Sequence, residues 1–430
     1  MTSVVIRDVA KLPEQATNLV RKALWLKIPF MTLGVIGSVT ASWVLGYDAL
    51  VRDLVMIASL VMLADAISLL FYGVLRGHHA LRFESIGIFL GQTCTLVFGG
   101  AVLLIHPSLR LLIFALLAGS IFNMVYSAYH VVRLLGIQTL RPEWDNILTK
   151  KMLVAALPFA FAGIFVKVYS YVDSVFISKF IGTAAVGIYA VAYKFTYSFQ
   201  FLPMALVAAL YPRMSSLVGK DNAGLQRLFD DAIWYLAVLA VPISFGLFAV
   251  APDAVALAGE GYEGAVPILQ VLIFVLIPIF LDFPVGSLLN AAGRQGTKTT
   301  IMGITMLINI LLNALLIPRY GVMGAAYSAI ASFTFLLFGG LHFVSQVIPT
   351  YSMRLFFRTT ASIFGCGAAM GIVAVVLRPF LGFILVIPLA AICYVAMLFL
   401  TRSVRTVHLK NAFNRFRRRP IYVEDSAIHD

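Results

Sequence analysis

Two lysines lie inside apolar stretches of the sequence, where a charged side chain is costly. Lys167 follows the segment ALPFAFAGIFV, and Lys194 follows VGIYAVAY. Two cations held close together repel each other unless water or an anion separates them. An aqueous cavity that receives a diphosphate or an acidic sugar would suit this pair. The alternative is that each lysine extends to the nearest polar surface or forms a local pair, with Asp173 as the nearest partner.

Aromatic side chains surround these two lysines in the sequence. Aromatic faces stack on sugar rings, and phenol groups form hydrogen bonds with sugar hydroxyls. Some of the tyrosines could instead belong to the aromatic belts that mark membrane interfaces. The tyrosines in question are Tyr169, Tyr171, Tyr189, Tyr193 and Tyr197. From this group, Asp173, Tyr189 and Tyr193 are predicted to bind substrate together with Lys167 and Lys194.

Carboxylates and guanidiniums recur at matching places in the two halves of the chain. Asp65 precedes Arg76, and Asp282 precedes Arg294 at a similar spacing. The two aspartates could bind a proton or a sodium ion, recognise sugar hydroxyls, or form structural hydrogen bonds. The two arginines could bind a diphosphate bidentately at the cytoplasmic entrance of a substrate path. They are also explained by the excess of lysine and arginine that membrane proteins carry in their cytoplasmic segments.

The elements that position these residues are predicted to be transmembrane helices. Hydrophobic residues form 61% of the 430-residue chain and charged residues only 12%, whereas a soluble domain is about one quarter charged. A helix of about 20 apolar residues crosses a bilayer. The sequence predicts an all-α polytopic membrane protein with twelve spans, at 28–46, 51–74, 84–105, 110–132, 152–177, 186–211, 232–251, 266–290, 300–317, 323–347, 356–377 and 380–401. At about 1.5 Å per residue, Lys167 and Lys194 then lie roughly 12–15 Å below the outer boundary.

The positive charge predicts the orientation of the chain in the cytoplasmic membrane. The formal net charge is +13, and most lysines and arginines fall in cytoplasmic segments if the N- and C-termini are cytoplasmic. The basic tail, residues 403–430, is predicted to bind anionic lipid headgroups and not nucleic acid. Only Arg52, Arg110, Lys179, Arg319 and Arg378 lie at or beyond the outer ends of the predicted spans in this orientation.

The two halves of the chain resemble each other at an offset of roughly 210 residues. Trp25 matches Trp234, and LLIHP at 103–107 matches LLIPR at 315–319. Internal repeats are common in transporters, whose substrate site lies between them. The hairpin 152–211 precedes Trp234 but has no counterpart before Trp25, so the chain is expected to lack two helices of a fourteen-helix pattern. The predicted regions are an incomplete four-helix lobe at 1–135, a linker at 136–151, a six-helix lobe at 152–347, two further helices at 348–402, and the tail.

A family resemblance rests on the hairpin 152–211. The segments SYVDSVFISKFIGTAAVGIYAVAYKF and LVAALYPRMSSL resemble polysaccharide-biosynthesis flippases of the multidrug/oligosaccharidyl-lipid/polysaccharide exporter superfamily. The opening VVIRDVAKLPE resembles the cytoplasmic loop after the second helix of that family. The resemblance implies a two-lobed transporter with alternating access, whose substrate is an isoprenoid-diphosphate-linked oligosaccharide.

Two other functions remain open from the sequence. An ion-coupled multidrug or cation antiporter of the same superfamily would need an acidic cavity, which the two lysines argue against. A membrane-embedded sugar transferase or polymerase would need outward carboxylates, for which the loop 251–264 offers Asp253, Glu260 and Glu263. The sequence has no Walker motif, HExxH, CxxC or GxSxG. We therefore expect no catalytic residues, no cofactor and no metal. The protein is also expected to be a monomer.

Overall fold

The structure is a computed structural model that describes residues 5–6, 9, 13–78 and 80–401. The described chain folds into helices joined by short turns. The basic tail, for which lipid binding is predicted, lies outside the described residues. The α-helices are α1 (Ala16–Val44), α2 (Ala49–Gly77), α3 (Leu81–Ile105), α4 (Leu109–Leu135), α5 (Asn146–Phe180), α6 (Thr183–Tyr197), α7 (Phe201–Leu217), α8 (Asn222–Ala249), α9 (Ala251–Ala256), α10 (Ala265–Leu272), α11 (Leu276–Ala291), α12 (Gln295–Tyr320), α13 (Val322–Val344) and α14 (Met353–Leu400).

The predicted all-α fold with twelve spans is confirmed. In the part of the chain that the structure describes, ten helical segments are long and apolar enough to cross a membrane. One of them, 356–400, holds two predicted spans, because Gly382 in the middle of α14 has a φ of 68° and interrupts the helix. The remaining span is the pair α6 and α7, which is divided by a short 3-10 turn at Ser198–Gln200. Helices are the expected solution, since each satisfies its backbone hydrogen bonds internally where no water is available.

Two helices in the second half of the chain are interrupted, and nearby side chains contact the chain around each interruption. A 3-10 turn at Ile273–Val275 separates α10 from α11. The Ser244 hydroxyl of α8 donates a 3.2 Å hydrogen bond to the Ile273 carbonyl oxygen. The chain reverses direction at Gly382. The evidence is that Cys366 Sγ lies 3.4 Å from Thr401 Oγ1, although these two residues stand on opposite sides of the interruption. The two arms of α14 therefore form a helical hairpin.

The chain divides into two compact units, Met1–Gly163 and Ile164–Asp430, with the boundary inside α5. In the first unit, α4 packs against α2 and α3. Close packing there depends on small residues, because a Cβ atom on Gly91 would collide with Asn123 and one on Gly119 would collide with Thr95. The buried core of this unit gathers on α1 and α2 around Leu70, Phe71 and Leu75.

The part of the predicted linker that precedes α5 is attached to α1 within the first unit. Arg21 forms an ion pair with Glu143 at 2.9 Å, and Lys22 forms one with Asp145 at 2.7 Å. The rings of Trp25 and Trp144 meet edge to face, with centroids 6.2 Å apart. Three adjacent contacts thus fix residues 143–145 against one face of α1.

The second unit has the larger continuous core. Buried residues of α8, α10, α11 and α13 form its centre, including Phe229, Leu269, Phe280 and Ala326. The α14 hairpin packs on α8 through both arms. One arm presents the small residues Gly367 and Gly371, and the Tyr394 hydroxyl of the other arm donates a hydrogen bond to the Val238 carbonyl oxygen at 3.2 Å.

The glycines of α14 provide a direct test of this packing. A Cβ atom on Gly367 would collide with Val241, whereas one on Gly365 would meet nothing within 4 Å. We expect Gly367→Leu to lower the free energy of unfolding by about 1–3 kcal/mol, because overpacked interfaces must shift apart. The matched variant Gly365→Leu should change it by less than about 0.5 kcal/mol. Thermal unfolding of the purified protein in detergent measures both, and equal effects would refute the close approach of α14 to α8.

Candidate substrate-binding site

A polar and aromatic face runs along α5 and α6 in the second unit. Lys167 and Tyr171 lie one turn apart on α5, and the lysine ammonium is 5.3 Å from the centroid of the tyrosine ring. Tyr193 of α6 approaches the same ring, with centroids 6.2 Å apart. Lys194 follows Tyr193 directly. Both lysine side chains are exposed. The α5–α6 face is our name for the three contacting residues Lys167, Tyr171 and Tyr193 together with the exposed Lys194 at the next position of α6.

The position of the two lysines along their helices places them deep in the bilayer. Lys167 lies about 20 Å from the end of α5 at Phe180, and Lys194 lies about 16 Å from the start of α6 at Thr183, at about 1.5 Å per residue. The hydrocarbon core is roughly 30 Å thick, so helix ends placed at its boundary would put both lysines close to its middle. This is somewhat deeper than the sequence predicted. Charged side chains at such a depth face a water-filled space or a protein partner.

Neither lysine forms an ion pair within the described ranges of the chain. Asp173, the nearest partner that the sequence offered, points away from both. Six residues separate it from Lys167, which rotates it by about 240° around α5. Asp173 is only 2% exposed and Lys167 is exposed. The sequence grouped Asp173 with the two lysines; the structure instead separates a buried carboxylate from an exposed cationic face.

Asp173 belongs to a buried polar network inside the second unit. The Tyr189 hydroxyl donates a 2.7 Å hydrogen bond to one carboxylate oxygen, and the Asn313 amide donates to the other at 3.2 Å. Asn313 also donates to Asn309 at 3.0 Å, and Asn309 donates to the Ser332 hydroxyl at 3.3 Å. All five side chains are buried. Tyr189, predicted to bind substrate, therefore contacts Asp173 in the interior.

The asparagines and the serine of this network were missed from the sequence. The signal was present, since Asn309 and Asn313 are four residues apart in an apolar stretch and share one face of α12. Asn313 Oδ1 is buried and lacks a hydrogen-bond donor among the described residues. With the Asp173 carboxylate it offers oxygen atoms that suit a proton or a small hard cation. The described residues contain no cluster of three or more His, Cys, Asp or Glu side chains that could hold a metal ion.

Asp282, predicted as an ion-coupling residue, forms an ion pair with Lys298. The Lys298 ammonium lies 2.6 Å from Oδ1 and 2.8 Å from Oδ2 of Asp282. The two side chains are 11% and 14% exposed. Gly286 lies under the lysine stem, where an added Cβ would stand 3.3 Å from Lys298 Cε. Sequence analysis did not single out Lys298, and the structure shows it as the partner of an intramembrane carboxylate.

The two predicted phosphate-binding arginines already have partners. In the first unit, Arg76 binds both carboxylate oxygens of Glu84, with Nε 2.5 Å from Oε2. In the second unit, the Arg294 guanidinium donates to the Gln346 side-chain oxygen. Asp65, the remaining predicted carboxylate, is exposed on α2. A phosphate at either arginine would have to displace or join a side chain that is bound there.

The other tyrosines connect the α5–α6 face to the core. Tyr193 stacks on Tyr197, with centroids 4.1 Å apart. Tyr197 in turn approaches Phe333 at 6.4 Å, and Tyr169 meets the same ring edge to face at 5.4 Å. Tyr171 is 51% exposed and Tyr169 is buried. Among the five tyrosines, Tyr171 and Tyr193 are thus the two that form the α5–α6 face with the lysines.

Comparison with solved structures shows a known transporter fold. The chain is similar to the lipid II flippase MurJ in an inward closed conformation, with a TM-score of 0.72 and 14% identity, covering 96% of this chain and 89% of that one. It is also similar to an inward-facing multidrug resistance MATE family transporter, with a TM-score of 0.69 and 15% identity over 82% of this chain and 86% of that one. Because both kinds of transporter share this architecture, the fold alone does not select a substrate.

Sequence comparison identifies the family. The chain is 33% identical to the probable flippase AglR of Haloferax volcanii over 170 residues, which cover 39% of this chain and 36% of AglR. The match therefore spans about one third of that relative's length. A family described as polysaccharide biosynthesis protein matches residues 3–267, more than half of the chain. The chain belongs to the polysaccharide biosynthesis protein family.

Proposed function

We propose that this protein is a flippase that moves isoprenoid-diphosphate-linked oligosaccharide across the cytoplasmic membrane for surface polysaccharide biosynthesis. The observation that carries the proposal is the α5–α6 face, where two exposed lysines lie near the middle of the bilayer without an ion-pair partner in the described chain. Such a face needs water and an anion. The family assignment and the resemblance to a probable flippase support the same function.

The proposed substrate has a polar part that needs water and an apolar part that can remain in the bilayer. The oligosaccharide and its diphosphate need a hydrated path, whereas the isoprenoid chain can remain in lipid. We propose that Lys167 and Lys194 attract the anionic headgroup, with Tyr193 beside them. Arg76 and Arg294 are each proposed as a separate secondary phosphate contact near the cytoplasmic face, where the phosphate competes with Glu84 at Arg76 and with Gln346 at Arg294. No bond is made or broken.

The competing functions are supported less well by the geometry. An antiporter for cationic drugs is disfavoured by exposed lysines on the α5–α6 face. A sugar transferase would need free carboxylates in the loop between α8 and α10. Asp253 is instead bound to the Arg378 guanidinium at 2.5 Å, and Glu263 accepts a hydrogen bond from the Gly261 amide of its own loop at 3.2 Å.

We also propose an orientation and an assembly state for the transporter. We propose that both termini are cytoplasmic, that the protein acts as a monomer, and that the tail at 403–430 binds anionic lipid. Residues 136–151 are proposed as the link between two halves of the transporter.

The experiment that tests the function uses a bacterial strain that lacks its own flippase and accumulates lipid-linked oligosaccharide inside. Expression of this chain should restore surface polysaccharide and make the lipid-linked oligosaccharide accessible to an impermeant sugar-modifying reagent. Membrane insertion is checked with a C-terminal tag that reports cytoplasmic location. If the protein is inserted in the membrane and the oligosaccharide remains inaccessible, the flippase proposal fails.

We further propose that Asp65 and Asp282 couple transport to a proton or sodium gradient. Asp65 is exposed on α2, whereas Asp282 would have to exchange Lys298 for an ion. Transport by Asp65→Asn should therefore depend less on the gradient. A protonophore or a sodium ionophore, which collapses the gradient, should slow transport less in this variant than in the native protein. Asp53→Asn, on the same helix, serves as the matched control. Unchanged gradient dependence in both Asp65→Asn and Asp282→Asn would exclude these two carboxylates from coupling.

A further inference from the structure

We infer that the first unit binds an anionic phospholipid, whose phosphate contacts Arg82 and Arg133 and whose acyl chain lies in an apolar groove beside Tyr129. The inference goes beyond the proposed function, because it is independent of what the protein transports. It rests on two neighbouring features of the first unit. One is a cationic cluster at the ends of α3 and α4, and the other is a groove lined by α1, α2 and α4.

The cationic cluster consists of Arg82, His130 and Arg133. The guanidinium carbon of Arg82 lies 4.7 Å from the centroid of the Phe83 ring, and this ring stacks on His130 with centroids 4.2 Å apart. Arg82 and Arg133 both interact electrostatically with the His130 ring. Both arginines are exposed. Three basic side chains therefore share one small region of the surface.

Within the part of the chain that the structure describes, neither arginine of the cluster forms an ion pair. Glu84, the carboxylate nearest in sequence to Arg82, is bound on both oxygens by Arg76. Like charges that are held close together repel each other unless an anion or water separates them. A guanidinium pairs bidentately with a phosphate, so a phosphate group suits this cluster.

The helix ends place the cluster at the level of lipid headgroups. Arg82 lies in the first turn of α3, and Arg133 lies in the last turn of α4. The two helices follow each other along the chain and pack together, so these two turns lie at the same end of the unit. The proposed orientation makes this the cytoplasmic end, where basic sites between transmembrane helices bind the headgroups of anionic lipids.

The groove beside the cluster has a volume of about 470 Å³ and is lined by hydrophobic side chains. Its lining includes Leu24, Ile67, Phe71, Ala128, Tyr129 and Leu140. Tyr129 connects the groove to the cluster, because its ring meets His130 edge to face with centroids 5.2 Å apart. Arg133 lies one helical turn beyond Tyr129. A molecule that has both an acyl chain and a phosphate matches this arrangement, whereas free phosphate would leave the groove unfilled.

The test measures quenching of tryptophan fluorescence by brominated lipids in the full chain, reconstituted in bilayers of phosphatidylcholine. Trp43 and Trp234 are replaced by phenylalanine, so the signal comes from Trp25, which follows Leu24 of the groove, and from its ring partner Trp144. We expect brominated phosphatidylglycerol to bind at least about 10-fold more tightly than brominated phosphatidylcholine, because each nearby arginine attracts net negative charge. Inorganic phosphate should not displace the bound lipid.

Variants separate the cluster from the groove, while the basic tail stays the same in all of them. Replacing Arg82 and Arg133 together with glutamine should remove the preference for phosphatidylglycerol, and replacing both with lysine should retain most of it. Ala128→Phe fills the groove and should weaken the binding of both lipids. Arg110→Gln, at the other end of α4, is the matched control and should change neither.

Four outcomes would overturn the inference. Equal binding of the two lipids, or a preference that persists in the double glutamine variant, would show that the cluster does not select the headgroup. Displacement by inorganic phosphate would indicate a site for free phosphate. Unchanged binding in Ala128→Phe would place the lipid outside the groove. If neither brominated lipid quenches the two tryptophans, the groove is covered by something other than lipid.

Discussion

Replacing Lys167 and Lys194 together with glutamine is expected to lower transport of lipid-linked oligosaccharide by roughly 100-fold, with each single replacement lowering it by roughly 10-fold. Each ammonium group forms charge-assisted hydrogen bonds with the anionic headgroup, and glutamine provides only neutral ones. The measurement is the rate at which lipid-linked oligosaccharide becomes accessible at the outer face in the complemented strain.

Controls distinguish loss of charge from loss of protein. Lys167→Arg and Lys194→Arg keep the positive charge and should retain most of the transport rate. Lys179→Gln removes a lysine from the last turn of α5 and should transport normally. The amount of each variant in the membrane is measured in parallel. Full activity in the double glutamine variant would show that the α5–α6 face does not contact the headgroup.

Breaking the Asp282–Lys298 pair from one side is expected to cost about 3–5 kcal/mol of unfolding free energy, because the remaining charge stays buried without its partner. Lys298→Met leaves the carboxylate alone, and Asp282→Leu leaves the ammonium alone. The double variant removes both charges and should recover to within about 1 kcal/mol of the native protein. Denaturant or thermal unfolding in detergent measures the three free energies.

The chain provides a matched exposed pair as a control. Arg110 and Asp53 form a 2.6 Å ion pair whose side chains are 56% and 50% exposed. Arg110→Met should change the free energy of unfolding by only about 0–1 kcal/mol, because solvent screens exposed pairs. If Lys298→Met were as mild as Arg110→Met, the Asp282–Lys298 pair would not be buried in the way the structure indicates.

Hydropathy was enough to predict the twelve spans, because the need for about 20 apolar residues is a local property of each helix. It could not predict the 3-10 turn at Ser198–Gln200, since no glycine or proline falls within those three residues. Gly382 is a clearer case. A positive φ is unfavourable for other residues, yet one glycine in an apolar run carries little signal because glycine is common in membrane helices.

The sequence predicted residues for the candidate site, and the structure groups these residues differently. Lys167, Tyr193 and Lys194 were identifiable because each is polar at membrane depth. Which helix face each occupies depends on packing, so Asp173 was assigned to the lysines although the rotation of α5 turns it toward Asn313. Lys298 was not singled out, because it precedes the predicted span 300–317 and reads as one more basic residue between spans. Its contact with Asp282 arises only when α11 and α12 pack at matching heights.

The turn at Gly382 has a consequence for the synthesis of the protein. The two arms of α14 are joined without a polar loop, and both pack on α8. During translation, the first arm therefore has only Arg378 to mark its boundary before the second arm emerges. The arms are expected to leave the translocon together as a hairpin. The ion pair between Arg378 and Asp253 then ties the tip of the hairpin to the segment that follows α8, so the last part of the chain is secured by a region inserted long before it.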